Sequence, residues 1–170
     1  MIIIGLGANL PGKYGTPELA VQAALDGLNE DPDIDVLSVS SIWHSAPVPA
    51  SDQPWYANAV CTVSTNLPPG ELLARLKKME AGAGREVRER NAARVLDLDI
   101  LAYNNVISME PPVLPHPRMH ERAFVLLPLK EIAPDWVHPA LECPLPELIE
   151  ALPQDQEIRR GEKLMIQTLI

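Results

Sequence analysis

An α+β fold, with helices packed on the faces of a mostly antiparallel sheet, is what this sequence predicts, and three observations predict it. Apolar residues recur at helical spacing over 17–29 and 69–80. Four other stretches alternate or carry short β-branched runs, as strands do. Taken along the chain, these segments fall in the order strand, helix, strand, strand, helix, strand, followed by a helical tail. That order is the split βαβ, ferredoxin-like arrangement.

Each element has its own warrant. Ile2 to Ile4 form a short buried run, and Gly5 and Gly7 behind them predict that the strand ends in a tight turn. Thr16, Pro17 and Glu18 supply an N-cap, a first-turn proline and an acid for the positive helix end. A helix over 17–29 follows, with Leu19, Ala20, Ala23, Ala24 and Leu28 sharing a face. Residues 36–43 and 56–65 read as strands. The segment between them holds Pro47, Pro49 and Pro54, which forbid regular pairing and predict a stiff, exposed loop of the kind that commonly carries binding residues. Leu72, Leu73, Leu76 and Met79 mark the helix over 69–80, with Pro69 near its start and Gly82 and Gly84 just past its end. From 84 to 94 apolar residues almost vanish, and a strand returns over 95–103. A proline-rich turn over 111–117 leads to a helical stretch over 121–132, and the remainder reads as irregular with helical patches.

The 170 residues suit one domain over 1–170, large enough to bury a core without disulfides or a structural metal. Hydrophobic and charged fractions of 46% and 22% are ordinary for a globular chain, and no apolar run approaches a membrane span. The opening MIIIGLGANL lacks a basic n-region and a small-residue cleavage site, so it reads as a first strand, with a cytoplasmic address as the expectation. Cys61 and Cys143 show no CxxC or Cys/His spacing and read as buried or incidental thiols. A net charge of −9 argues against non-specific nucleic-acid binding. A small polyanion stays open where cations cluster locally.

Such a cluster is present. Asp97 and Asp99 alternate on a strand, so both carboxylates face one side while Leu98 and Ile100 face the other. Two anions so placed either form a solvated strand face or hold hard divalent cations that bridge to phosphates. Arg85, Arg88, Arg90 and Arg94 precede the pair and Arg118 and Arg122 follow it, six of the chain's fourteen cationic residues. Guanidinium forks match phosphate oxygens, which turns the balance towards phosphate chemistry. No GxxxxGK[ST] loop is present, and Gly5-Leu6-Gly7 lacks the third glycine of a dinucleotide fingerprint, so it reads as a turn. His116, between Pro115 and Pro117, is either a phosphate donor or a packed turn residue. Tyr56 and Asn58 share a strand face beside the proline loop, and Phe124, the single phenylalanine, is either core or a stacking platform. An aromatic with an amide suits a flat heterocycle.

With these residues in view, the sequence resembles the 6-hydroxymethyl-7,8-dihydropterin pyrophosphokinases of folate biosynthesis. The resemblance runs from the GLGxN-type turn through Asp52-Gln53-Pro54 with Tyr56 and Asn58, Gly84-Arg85, Arg94, Asp97-Leu98-Asp99-Ile100-Leu101, Pro115-His116-Pro117-Arg118, Arg122 and Phe124 to Glu131-Ile132-Ala133-Pro134. It implies transfer of the β,γ-diphosphate of ATP, the co-substrate, to the pterin hydroxymethyl oxygen with release of AMP. It also implies two magnesium ions on Asp97 and Asp99. The pterin would stack on Phe124 with Tyr56 beside it, Asn58 would read its polar edge, and Ser45, Ala46 and Val48 would line the same pocket. Glu80, Arg94, Ile100, His116 and Arg122 align with nucleotide contacts. Arg85 and Arg94 align with arginines that assist transfer, on a catalytic loop over 84–94 that closes to exclude water. ATP and the pterin are the partners implied, with no nucleic acid and no membrane.

The chain departs from that pattern in places. Asn91-Ala92-Ala93 stands where the family often shows a tryptophan-glycine-proline run, the Arg85 to Arg94 spacing is one residue shorter than in some members, and Pro111 stands near an arginine of others. The rival from another class is a non-catalytic ferredoxin-like module that senses a nucleotide.

Overall fold

A computed structural model describes residues 1–47, 49–84 and 95–166 and places the layers through the alternation of its first strand. In β1 (Ile2–Ala8), Ile2, Ile4, Leu6 and Ala8 face one side of the sheet and Ile3, Gly5 and Gly7 the other. The strand thus runs through the glycines instead of turning at them. Its neighbours on both sides supply hydrogen bonds that hold Gly5 and Gly7 extended: β4 (Tyr56–Thr65) and β5 (Asp97–Tyr103) each pair with it antiparallel.

The sheet order is β5-β1-β4-β3-β8, with β2 (Ile34–Val39) also on β4. Read without β8, this is the predicted ferredoxin-like order. The strand expected over 36–43 is broken at Ser40 into β2 and β3 (Ser41–Ser45). The buried Ser40 hydroxyl accepts from the Val60 N–H and donates to the Ser41 carbonyl, so a side chain steps into the ladder where the strand bends. The expected irregular tail instead contains β8 (Ile158–Lys163), antiparallel to β3, and a two-residue ribbon of β6 (Val137–His138) and β7 (Cys143–Pro144). Arginines and a glycine in β8 carry no hydrophobic alternation. Pairing with β3 makes the strand, assisted by Arg159 over the Trp55 ring at 5.0 Å.

One face is covered by α1 (Pro17–Glu30) and α2 (Pro69–Gly82). The Thr16 hydroxyl accepts from the Leu19 N–H at 3.1 Å, the predicted cap. The buried stripe of α1 is Ala20, Val21, Ala24, Leu25 and Leu28, while Leu19 is exposed. The helix is turned from the expected face because the larger Val21 and Leu25 bury more apolar surface than Ala23 does. The other face is covered by α3 (Ala123–Ile132) and α4 (Leu145–Glu150), with Val125, Leu126, Leu129, Trp136 and Leu145 packed on Ile3, Val60 and Leu101. Cys61 lies fully buried in the first core, where burial pushes its thiol up to about 12 and leaves it inert.

Candidate active site

Backbone register assembles the site. Gly7 pairs with Asp97 on one side and Asn58 on the other, and Asn58 pairs onward with Trp43. Gly5 likewise sits between Asp99 and Val60. A lane without side chains therefore separates two carboxylates from a buried amide. It floors a cleft of about 1180 Å³ on the face of α3, walled by the proline loop, by residues 116–125 and by the segment after α4. A Cβ on Gly7 would meet Asn58 Oδ1 at 3.3 Å, and one on Gly5 would meet Leu101 Cδ1 at 3.2 Å. Side chains at these positions would crowd Asn58 and Leu101, and the glycines form extended strand where the sequence predicts a turn.

The carboxylate end is built on β5. An extra residue, Leu101, bulges this strand opposite Ile3 and Ile4, just past Asp99. Leu101 also accepts the His116 N–H at 2.8 Å, which brings the His116 turn to the cleft. His116 Nδ1 accepts the Arg118 N–H at 3.1 Å, so the neutral ring carries its proton on Nε2 and has one donor to offer. Burial, with the Arg122 guanidinium adding to it, holds His116 down to about 4, against a smaller opposing pull from Asp97.

The amide end is equally constrained. Asn58 is 4% exposed, and its Nδ2 donates to the Ser45 hydroxyl at 2.8 Å and the Trp43 carbonyl at 3.2 Å. The amide nitrogen is thereby committed to the protein and the orientation fixed. Tyr56 lies on the same strand face, its hydroxyl kept protonated by burial and by the Asp97 charge. Phe124 is half-buried in the cleft wall with the Arg122 guanidinium 5.3 Å from its ring.

Among the residues expected at the site, Ser45, Ala46, Tyr56, Asn58, Asp97, Asp99, His116, Arg122 and Phe124 all line this cleft. Glu80 and Ile100 do not. Glu80 is 2% exposed beneath β5, where its carboxylate accepts the Leu98 N–H at 2.9 Å. The Ile100 side chain lies in the core under α1 and α2. Val48, Arg85 and Arg94 lie outside the described residues, as do Arg88, Arg90 and residues 91–93.

Two residues escape sequence reasoning. Asn9, fully buried at the end of β1, donates from Nδ2 to Gln53 Oε1 at 3.1 Å and the Pro54 carbonyl at 3.2 Å, which ties the proline loop to the floor. Its place in the glycine motif was the available signal. Gln156 also lines the cleft and comes from a stretch with no motif or periodicity to single it out.

Comparison with known proteins places these features in one lineage. A model of the 7,8-dihydro-6-hydroxymethylpterin-pyrophosphokinase (HPPK) family matches residues 3–134. The 2-amino-4-hydroxy-6-hydroxymethyldihydropteridine pyrophosphokinase of Haemophilus influenzae is 42% identical over 137 residues, covering 80% of this chain and 83% of that protein. The protein of the same name from Pseudomonas aeruginosa is 39% identical over 153 residues, covering 89% and 91%. A solved structure of HPPK-DHPS in complex with substrates shares the fold, with a TM-score of 0.64 at 14% identity over 88% of this chain and 43% of that one. With most of its length matched and its cleft built from the residues that carry the motif, the chain belongs to the 7,8-dihydro-6-hydroxymethylpterin-pyrophosphokinase family.

Proposed function

We infer that the chain transfers the β,γ-diphosphate of ATP to the hydroxymethyl group of 6-hydroxymethyl-7,8-dihydropterin, giving AMP and the pterin diphosphate, a step of folate biosynthesis. The observation that carries this reading is the row Asp97–Gly7–Asn58, which sets an anionic end and a buried amide end on one floor. Membership of the family supports it.

The pterin is assigned to the Asn58 end. Phe124 and Tyr56 offer ring faces, Asn58 offers the acceptor its committed nitrogen leaves over, and Ser45 and Ala46 line the same pocket, with Val48 assigned to it by the family resemblance alone. The nucleotide is assigned to the β5 side. Arg122 supplies a guanidinium and His116 a neutral Nε2–H for phosphate oxygens. Glu80 serves by fixing β5, and Ile100, whose side chain is buried, has only its backbone to offer. Arg85 and Arg94 are assigned to charge stabilisation during transfer.

Asp97 and Asp99 are the residues that would hold two magnesium ions. The donor set fits: two hard oxygen ligands on a rigid strand, facing glycines that leave room above them. Bound there, magnesium would offset polyphosphate charge, and the remaining coordination would come from phosphate and water. The pterin hydroxyl attacks phosphorus directly, so no enzyme nucleophile is required. The test is AMP release from ATP measured with and without the pterin alcohol and magnesium. AMP that requires both is expected; protein that binds ATP yet makes none would be a nucleotide sensor, and the reading would fall.

A further inference from the structure

The cleft has a wall that lies beyond the residues the family model matches. Leu148, Pro153, Gln156 and Ile158 line it, all after Pro134. Within this wall Gln156 makes two hydrogen bonds to main chain more than thirty residues earlier. Its Oε1 accepts the Ala123 N–H at 2.9 Å, and its Nε2 donates to the Glu121 carbonyl at 2.8 Å.

Those two groups bracket Arg122. Ala123 opens α3, and its N–H is one of the donors that a helix start leaves without an internal partner. Arg122 occupies the N-cap position but makes no capping hydrogen bond with its side chain, so the amide of Gln156, distant in sequence, caps the helix. Arg122 is also the one extended residue, at φ −112° and ψ 113°, between a 3-10 turn (Met119–Glu121) and α3. A single extended residue between two helical segments is where the chain direction can swing. Holding the groups on both sides fixes how Arg122 leaves the main chain, and with it the guanidinium that lies over Phe124.

We propose that Gln156 is a positioning residue for diphosphate transfer, aiming Arg122 and Phe124 into the cleft by pinning the main chain on both sides of Arg122. This rests on the functional reading above. The Glu121 bond is solvent-exposed and the Ala123 bond only part-buried, so water can replace either partner and the fold does not depend on them. Their loss should appear in substrate affinity, where small displacements count heavily.

The test compares wild type with Q156M, which keeps the side-chain length and the apolar wall but loses both hydrogen bonds, and with Q156E, which keeps the acceptor for the Ala123 N–H. Kd values for 6-hydroxymethyl-7,8-dihydropterin and for ATP, kcat/KM for AMP formation, and melting temperature are measured. Q156M should raise the pterin Kd by about tenfold while its melting temperature stays within about 3 °C of wild type, and Q156E should recover at least about threefold of that affinity. Q156M with both Kd values within about twofold of wild type would overturn the proposal. So would a Q156M whose affinity and melting temperature fall together without recovery in Q156E, since that marks a residue needed only for folding. Wild type that makes AMP beside an unaffected Q156M sinks the positioning role alone; wild type that makes no AMP sinks the functional reading with it.

Discussion

Gly7 has no side chain, and the Asn58 amide uses the space. A methyl group there would stand 3.3 Å from an oxygen whose residue is held by two hydrogen bonds, so Asn58 must yield or the strand must shift. Gly7→Ala should weaken pterin binding by about tenfold with a stability loss near 1 kcal/mol, read by ligand titration and denaturant unfolding. Asp97→Ala and Asp99→Ala should each lower turnover by orders of magnitude with the far-UV circular dichroism unchanged, because both carboxylates stand at the strand's cleft face, away from either core. Rates near wild type for either variant would remove the metal-holding role. His116 makes the fold itself sensitive to acid. Its folded value of about 4 lies below the ordinary 6.5, so between these pH values the unfolded chain takes up a proton that the folded chain refuses. Unfolding becomes easier as pH falls through that window. His116→Gln removes this contribution, and its denaturation midpoint should fall less steeply from pH 6.5 to 4 than that of wild type.

Among elements, the C-terminal strand and the third helix are joined by one carboxylate. Glu131 on α3 accepts the Ser41 N–H at 3.2 Å, the Ser41 hydroxyl at 3.0 Å and the Trp43 indole N–H, and pairs with Arg160 of β8 at 3.1 Å. Truncating it removes the acceptor of three β3 donors. Glu131→Ala should cost about 2 kcal/mol and lower the melting temperature by roughly 4–8 °C, with Glu131→Gln retaining part of the loss. The elements legible in the sequence were those with a periodic apolar face or a cap: α1 from Thr16, α2 from its leucines, β4 over its whole length. Those not legible owe their form to partners. β8 is a strand because β3 offers an edge, and the Ser40 break depends on a hydroxyl entering the ladder. The cleft residues follow the same division. Type and spacing single out Asp97, Asp99 and Asn58 and leave Phe124 as core or platform, whereas Gln156 reaches the cleft through a fold that brings positions 121 and 156 together.

Over the whole molecule, a net charge of −9 surrounds a cleft whose wall carries Arg118 and Arg122. An acidic protein with a local cationic wall should bind a polyanion in a salt-dependent manner and a neutral heterocycle much less so. Raising ionic strength from 0.1 to 1 M shortens the screening length from about 10 to about 3 Å. ATP affinity should therefore fall several-fold over that range while pterin affinity barely changes, and parallel losses in two calorimetric titrations would contradict the separate assignment of the two ends. The glycine lane has a further consequence for distance. Asp97 and Asn58 are two strands apart, and neighbouring strands lie about 4.8 Å from one another, so their backbones stand about 10 Å apart. That interval is set by the peptide hydrogen bonds of the sheet and not by the side chains at its two ends. Evolution can exchange what stands at either end of the lane, while the spacing between the two ends is inherited with the sheet.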